Sequence, residues 1–163
     1  MMIYILKKCV QYMLATTGPT MAIEDVISLS ESANGVLIEQ YYECLSTDRS
    51  TDADRESYVL TWKTCHVAES WIVKEIGVDE NQLLYQISQE KNGAQWCLDV
   101  EVSDVDNIKL CLNECRDEHS EVPNSQFLLI FLVQEELYDQ DQIHGHKKMY
   151  NIESLAYRNN TLF

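Results

Sequence analysis

Apolar positions along the chain follow two periods. Over residues 3–14, Ile3, Leu6, Val10, Met13 and Leu14 fall at helical spacing, although the opening Ile-Tyr-Ile-Leu also fits a short strand. Gly18-Pro19 ends this segment. Thr20 then suits the N-cap of a second short helix carrying Met21, Ile23, Val26 and Ile27, with Glu24 and Asp25 favourably placed against the positive end of its dipole. A third helix is expected from Ser103, with Asp104, Asp106 and Asn107 in its first turns. Val105, Ile108, Leu110, Cys111, Leu112 and Cys115 would form its core side.

Elsewhere strand signals dominate. Residues 36–45 satisfy a helical stripe, but their β-branched and aromatic content favours a strand, on which Tyr41 and Tyr42 would point to opposite faces. Residues 47–57 are polar and aperiodic and read as an exposed loop joining two strands. Residues 58–73 suit a long strand, bulged or broken near Ala68. The clearest local signal is a hairpin: 82–90 and 94–102 alternate on either side of Lys91-Asn92-Gly93, with Gly supplying a left-handed position. Residues 127–133 (Phe-Leu-Leu-Ile-Phe-Leu-Val) form a continuous apolar run, the pattern of a strand buried on both faces. Residues 134–142 look like an acidic loop, His144-Gly145-His146 a turn, and 149–157 a last short strand or helix.

These elements predict one α+β domain spanning 1–163. Its core would be a mostly antiparallel sheet or partly closed barrel of five to seven strands, with two or three helices on one side or end. A chain of 163 residues buries roughly 70% of its unfolded surface, enough for an apolar core without a covalent staple. Only five Gly and two Pro argue against architectures built from many tight turns.

Charge changes the picture more than composition does. Twelve Lys and Arg face 27 Asp and Glu, a net charge of −15, which opposes direct binding to nucleic acid or an anionic membrane and favours a basic or mixed protein partner. Between Asp99 and Asp141 twelve acids meet only Lys109 and Arg116, so two thirds of the net charge lies in about a quarter of the chain. Asp104, Asp106, Glu114, Asp117, Glu118, Glu121, Glu135 and Glu136 are therefore the candidate partner-binding face. The bland reading of the same residues is a solvated helix face and loop. Three Trp and nine Tyr add candidate interface anchors, although most belong in a core.

Six cysteines admit many pairings, but no secretory leader is expected: Lys7 and Lys8 follow the short apolar run 1–6 instead of preceding it. Free thiols and an intracellular location, cytoplasmic or nuclear, are the corresponding expectations. The longest apolar run, seven residues, is far short of the roughly 20 that a membrane-spanning helix needs. The triplet Asn159-Asn160-Thr161 matters for glycosylation only in the secretory pathway.

Catalytic chemistry finds little support. Cys111-x3-Cys115-x3-His119 would stack three metal-ligand types on one helix, with His144 and His146 as further candidates, but paired zinc ligands usually come from a Cys-x2-Cys knuckle. The expectation is no metal and no cofactor. Cys65 and His66, adjacent on a strand, would face opposite ways and could not act as nucleophile and base together. Neither phosphate-cradling glycine motif is present. The leading reading is a non-catalytic interaction subunit or adaptor that docks a partner through acid and aromatics. Its alternatives are an acidic mimic of nucleic acid that inhibits a nucleic-acid-binding protein, and an enzyme whose His, carboxylate and thiol groups meet only in three dimensions.

Overall fold

The computed structural model describes residues 26–51, 57–104, 107–116, 125–140 and 143–162. Eleven strands account for nearly all of them, joined in one antiparallel sheet, and no helix occurs among the described residues. The strands are β1 (Ile27–Ser32), β2 (Gly35–Gln40), β3 (Glu43–Arg49), β4 (Tyr58–Thr64), β5 (Ile72–Asp79) and β6 (Gln82–Lys91). They continue as β7 (Ala94–Asp104), β8 (Asn107–Glu114), β9 (Leu128–Gln140), β10 (Ile143–Ser154) and β11 (Tyr157–Thr161). The α+β expectation is thus overturned: the class is all-β.

Six of these strands close a ring. β1 pairs with β2, β5 with β6, and β9 with β10, each a hairpin. The hairpins are linked to one another at Val36↔Trp71, Tyr85↔Leu128 and Tyr150↔Ile27. The links are equivalent in register. Two residues beyond Val36, Tyr85 and Tyr150 stand Ile38, Ile87 and Ile152, and all three isoleucines are fully buried, as are Trp71, Leu128 and Ile27 on the opposing strands. A period-two pattern explains this, since one residue skipped along a strand returns to the same face. The result is a pseudo-threefold, trefoil-like barrel whose centre is filled by these six side chains.

Beyond the ring, β2 continues into β3 and β4, β6 into β7 and β8, and β10 into β11, so each unit adds outer strands to its barrel hairpin. Leu45 and Leu60 from the first unit and Leu98, Leu110 and Leu112 from the second extend the core outward. Tyr58 packs edge-on against Trp96, with ring centroids 5.1 Å apart, where two units meet.

Several expectations are corrected by this arrangement. The third helix is β8: Ile108, Leu110 and Leu112 alternate with Lys109, Cys111 and Asn113, and cross-strand bonding to β7 over Trp96↔Glu114 to Val102↔Ile108 outweighs the cap-like Asp and Asn residues. Ile27, read as the end of a second helix, opens β1; the helix at 3–14 and the rest of the second lie outside the described residues. The segment 36–45 is two strands, broken by a turn at Tyr41-Tyr42. Segment 58–73 does break near Ala68, giving β4 and β5, and 47–57 does join two strands, but Thr47 is buried within β3. Leu128 and Leu129 are buried and Ile130 packs against the core, yet Leu132 and Val133 are about half exposed, so the apolar run leaves the core at its end. β9 runs on through Gln140 and β10 takes up His144 and His146, replacing the expected acidic loop and turn.

The hairpin at 82–102 is present as expected, with Lys91 within the strand and a two-residue turn, Asn92-Gly93, at positive φ. Four cysteines form disulfides, Cys44–Cys65 and Cys97–Cys115, against the expectation of free thiols, while Cys111 is buried and unpaired with another cysteine.

Candidate binding surface

The turn joining β2 to β3 places two tyrosines at positive φ, where the β5–β6 turn carries Glu80-Asn81. Tyr41 and Tyr42 have φ of 51° and 66°, the left-handed values that a two-residue type I′ hairpin turn requires at both positions. Asn92-Gly93, at the equivalent place in the second unit, meets that demand with the residues best suited to it. Tyrosine meets it badly, because its Cβ crowds the backbone at positive φ. Nor does burial compensate: Tyr41 is 63% exposed and Tyr42 90% exposed. The expectation of a strand with the two rings facing opposite ways and one of them exposed is corrected to a turn with both exposed, for which two tyrosines between Glu39-Gln40 and Glu43-Cys44 carry no signal.

The turn sits on a rigid base. Three successive residues of β3 hold the segment that leads into β5: Cys44 is disulfide-bonded to Cys65, the Leu45 carbonyl accepts the Trp71 indole N–H at 2.9 Å, and the Ser46 hydroxyl accepts the Glu69 N–H at 3.1 Å. Val67, 57% exposed, lies in the same tethered segment.

Beside this segment an open groove of about 550 Å³ runs between the β1–β2 turn, the 65–70 segment and the end of β6. Leu37 and Ile72 give it apolar walls, and Ser32, Asn34, Ser70, Gln89, Glu69 and Glu90 supply polar groups. Behind it the Glu69 carboxylate meets the Lys91 ammonium with one oxygen and the Thr47 hydroxyl, at 3.2 Å, with the other. Lys91 also lies over the Tyr58 ring at 5.6 Å, a cation–π contact. Burial lowers the Lys91 pKa from its usual 10.5; Lys63 reinforces the shift and Asp48 opposes it.

Half of the predicted acidic face falls among the described residues. Glu114 is exposed at the end of β8. Asp104 ends β7, and Asp106, Asp117, Glu118 and Glu121 lie outside the described residues. In β9, Glu135 and Glu136 stand in register with Lys148 and Lys147 of β10. Asp99, counted in the same cluster, is buried and receives hydrogen bonds from Val100 N–H, Asn113, Arg116, Ser125 and Gln126. It is a structural acid that clasps β7, β8 and the start of the segment leading to β9.

The metal candidates part in the same way. Cys115 is spent in its disulfide, Cys111 is buried with its thiol toward the Asp99 carbonyl, His119 lies outside the described residues, and His144 and His146 are on β10 opposite Asp139 and Leu137. Among the described residues no group of three His, Cys, Asp or Glu could hold a metal ion. Cys65 is disulfide-bonded and His66 is exposed in a turn, not on a strand, so the pair forms no nucleophile–base unit. No helix among the described residues is long and apolar enough to cross a membrane.

No family model, curated protein or solved structure matches the chain.

Proposed function

We propose that the protein is a non-catalytic binding module that captures a protein partner with a basic or mixed surface, using the Tyr41-Tyr42 turn as its anchor. The exposure of two tyrosines in a conformation that Asn-Gly fills at less cost is the observation that carries this reading. Strain retained at a surface position points to a demand other than folding. Tyrosine supplies such a demand readily, because it brings a large, rigid, amphipathic contact area at small entropic cost.

The acidity keeps the role expected of it, drawing in a basic partner, but the surface implicated shifts from 104–136 toward the first unit. Residues 26–48 contain Glu31, Glu39, Glu43 and Asp48 and no Lys, Arg or His. The two disulfides favour work in an oxidising compartment over cytoplasm or nucleus.

The test compares partners retained from an extract of the source cells by the immobilised wild type and by a Tyr41→Asn/Tyr42→Gly variant. The reading expects a protein held by the wild type at low salt and lost from the variant. Equal retention by both would overturn it.

A further inference from the structure

We propose that the groove bounded by Leu37, Ile72 and Glu90 is a side-chain pocket for an arginine or lysine of an extended partner segment, which then runs along the outer face of β2 to the tyrosine turn. The inference rests on the binding-module reading above and names the chemistry of its partner. Leu37 and Glu39 are spaced by two along β2, and Ile38 between them points to the barrel centre, so the outward positions of β2 lead from the groove toward the turn that follows Gln40. From Leu37 to Gln40, the end of β2, the span is about 10 Å at the rise of an extended strand, the reach of about three residues of an extended peptide.

Charge selects the occupant. The groove's lining includes Glu69 and Glu90 and no cationic side chain, and Glu39 and Glu43 flank the path to the tyrosines. The Glu69 carboxylate, 41% exposed, already takes Lys91 and Thr47, yet an ionised carboxylate offers about four acceptor positions, so a further donor can be received from the groove side. Exposed Glu90 at the rim offers a second carboxylate. Arginine and lysine fit the mixed walls because their aliphatic stems pack on apolar surface while the charged head reaches a carboxylate. At the far end, the tyrosine faces can accept a second cation.

The experiment uses the full disulfide-bonded chain, labelled with ¹⁵N, titrated with a blocked hexapeptide alternating arginine and valine and, separately, glutamate and valine. The proposal expects saturable amide shifts at Asn34, Leu37, Ile72 and Glu90 with the arginine peptide only, and at least threefold weaker binding for both Glu90→Gln and Ile72→Ser. Shifts confined to the Tyr41-Tyr42 turn would overturn the pocket and leave the tyrosine anchor standing. Groove shifts that survive Tyr41→Asn/Tyr42→Gly unchanged would support the pocket and overturn the anchor. Equal response to the glutamate peptide, or no saturable shift, would overturn the pocket.

Discussion

A Cβ placed on Gly35 would lie 2.4 Å from the carbonyl oxygen of Trp71, closer than real side chains approach a backbone atom. The contact occurs where the barrel closes between its first and second units: Val36 N–H donates to the Trp71 carbonyl at 2.8 Å, and Trp71 N–H returns a bond to the Val36 carbonyl at 2.7 Å. Gly35 also has a φ of 147°, which L side chains rarely adopt. Trp71 is fully buried, so the strand bearing it cannot move aside without emptying the core. Gly35→Ala should therefore cost about 3 kcal/mol, combining backbone strain with overpacking. Gly77→Ala is the control: a Cβ there meets nothing within 4 Å, and the change should stay within about 0.5 kcal/mol. Urea unfolding of the two variants measures both.

How much of this was legible in the sequence varies from strand to strand. The β6–β7 hairpin was readable because Asn92-Gly93 states its turn type and the flanking residues alternate. β8 was not, although Ile108, Leu110 and Leu112 have the right period. Cys111 between them is apolar and buried too, facing the Asp99 cluster, so both faces of the strand looked like one helical stripe. Ring closure was invisible, since each inter-hairpin link is only one or two residues opposite others far away in the sequence, such as Tyr85 and Leu128. Counting charge along the chain also hides which acids are structural: Asp99, inside the acidic stretch, is buried and accepts hydrogen bonds from Val100 N–H and Asn113.

The disulfides give a direct check. Non-reducing peptide mapping of the folded protein should recover Cys44 linked to Cys65 and Cys97 linked to Cys115, with Cys111 alkylated only after denaturation. The bonds close loops of 21 and 18 residues, so reducing each should lower stability by about 3 kcal/mol in the chain-entropy account. Cys44–Cys65 should matter more for binding, because it ties the base of the tyrosine turn to the groove. Unfolding midpoints with and without reductant provide the measurement, and recovery of Cys97 or Cys44 as free thiols from the folded protein would contradict the pairing.

At Asp99 the question is whether its ion pair with Arg116 or its buried hydrogen bonds carry the stability. The two groups lie 3.2 Å apart, but the Arg116 side chain is 51% exposed, and a pair open to solvent on one side contributes less than about 1 kcal/mol. The donors from Val100, Asn113, Ser125 and Gln126 lose more, because most are covered and would be left without an acceptor. Asp99→Ala should then cost about 3 kcal/mol, whereas Arg116→Gln should cost under about 1 kcal/mol. Equal losses in the two variants would mean that the ion pair is the larger contribution.

The tyrosine turn sets folding and binding against each other, which makes it the most discriminating site to alter. Asn and Gly accept the left-handed region that Tyr41 and Tyr42 occupy at φ of 51° and 66°, so Tyr41→Asn/Tyr42→Gly should raise stability by about 1–2 kcal/mol and increase the melting temperature. Tyr42 is 90% exposed, so removing its ring forfeits little burial that would offset the gain. Were the tyrosines held for the fold, the same substitution would lower the melting temperature. A variant that melts higher and binds partner at least tenfold more weakly would separate the two roles, because a loss of binding could not then be attributed to a damaged scaffold. Thermal denaturation and partner titration on the same preparation give both readings.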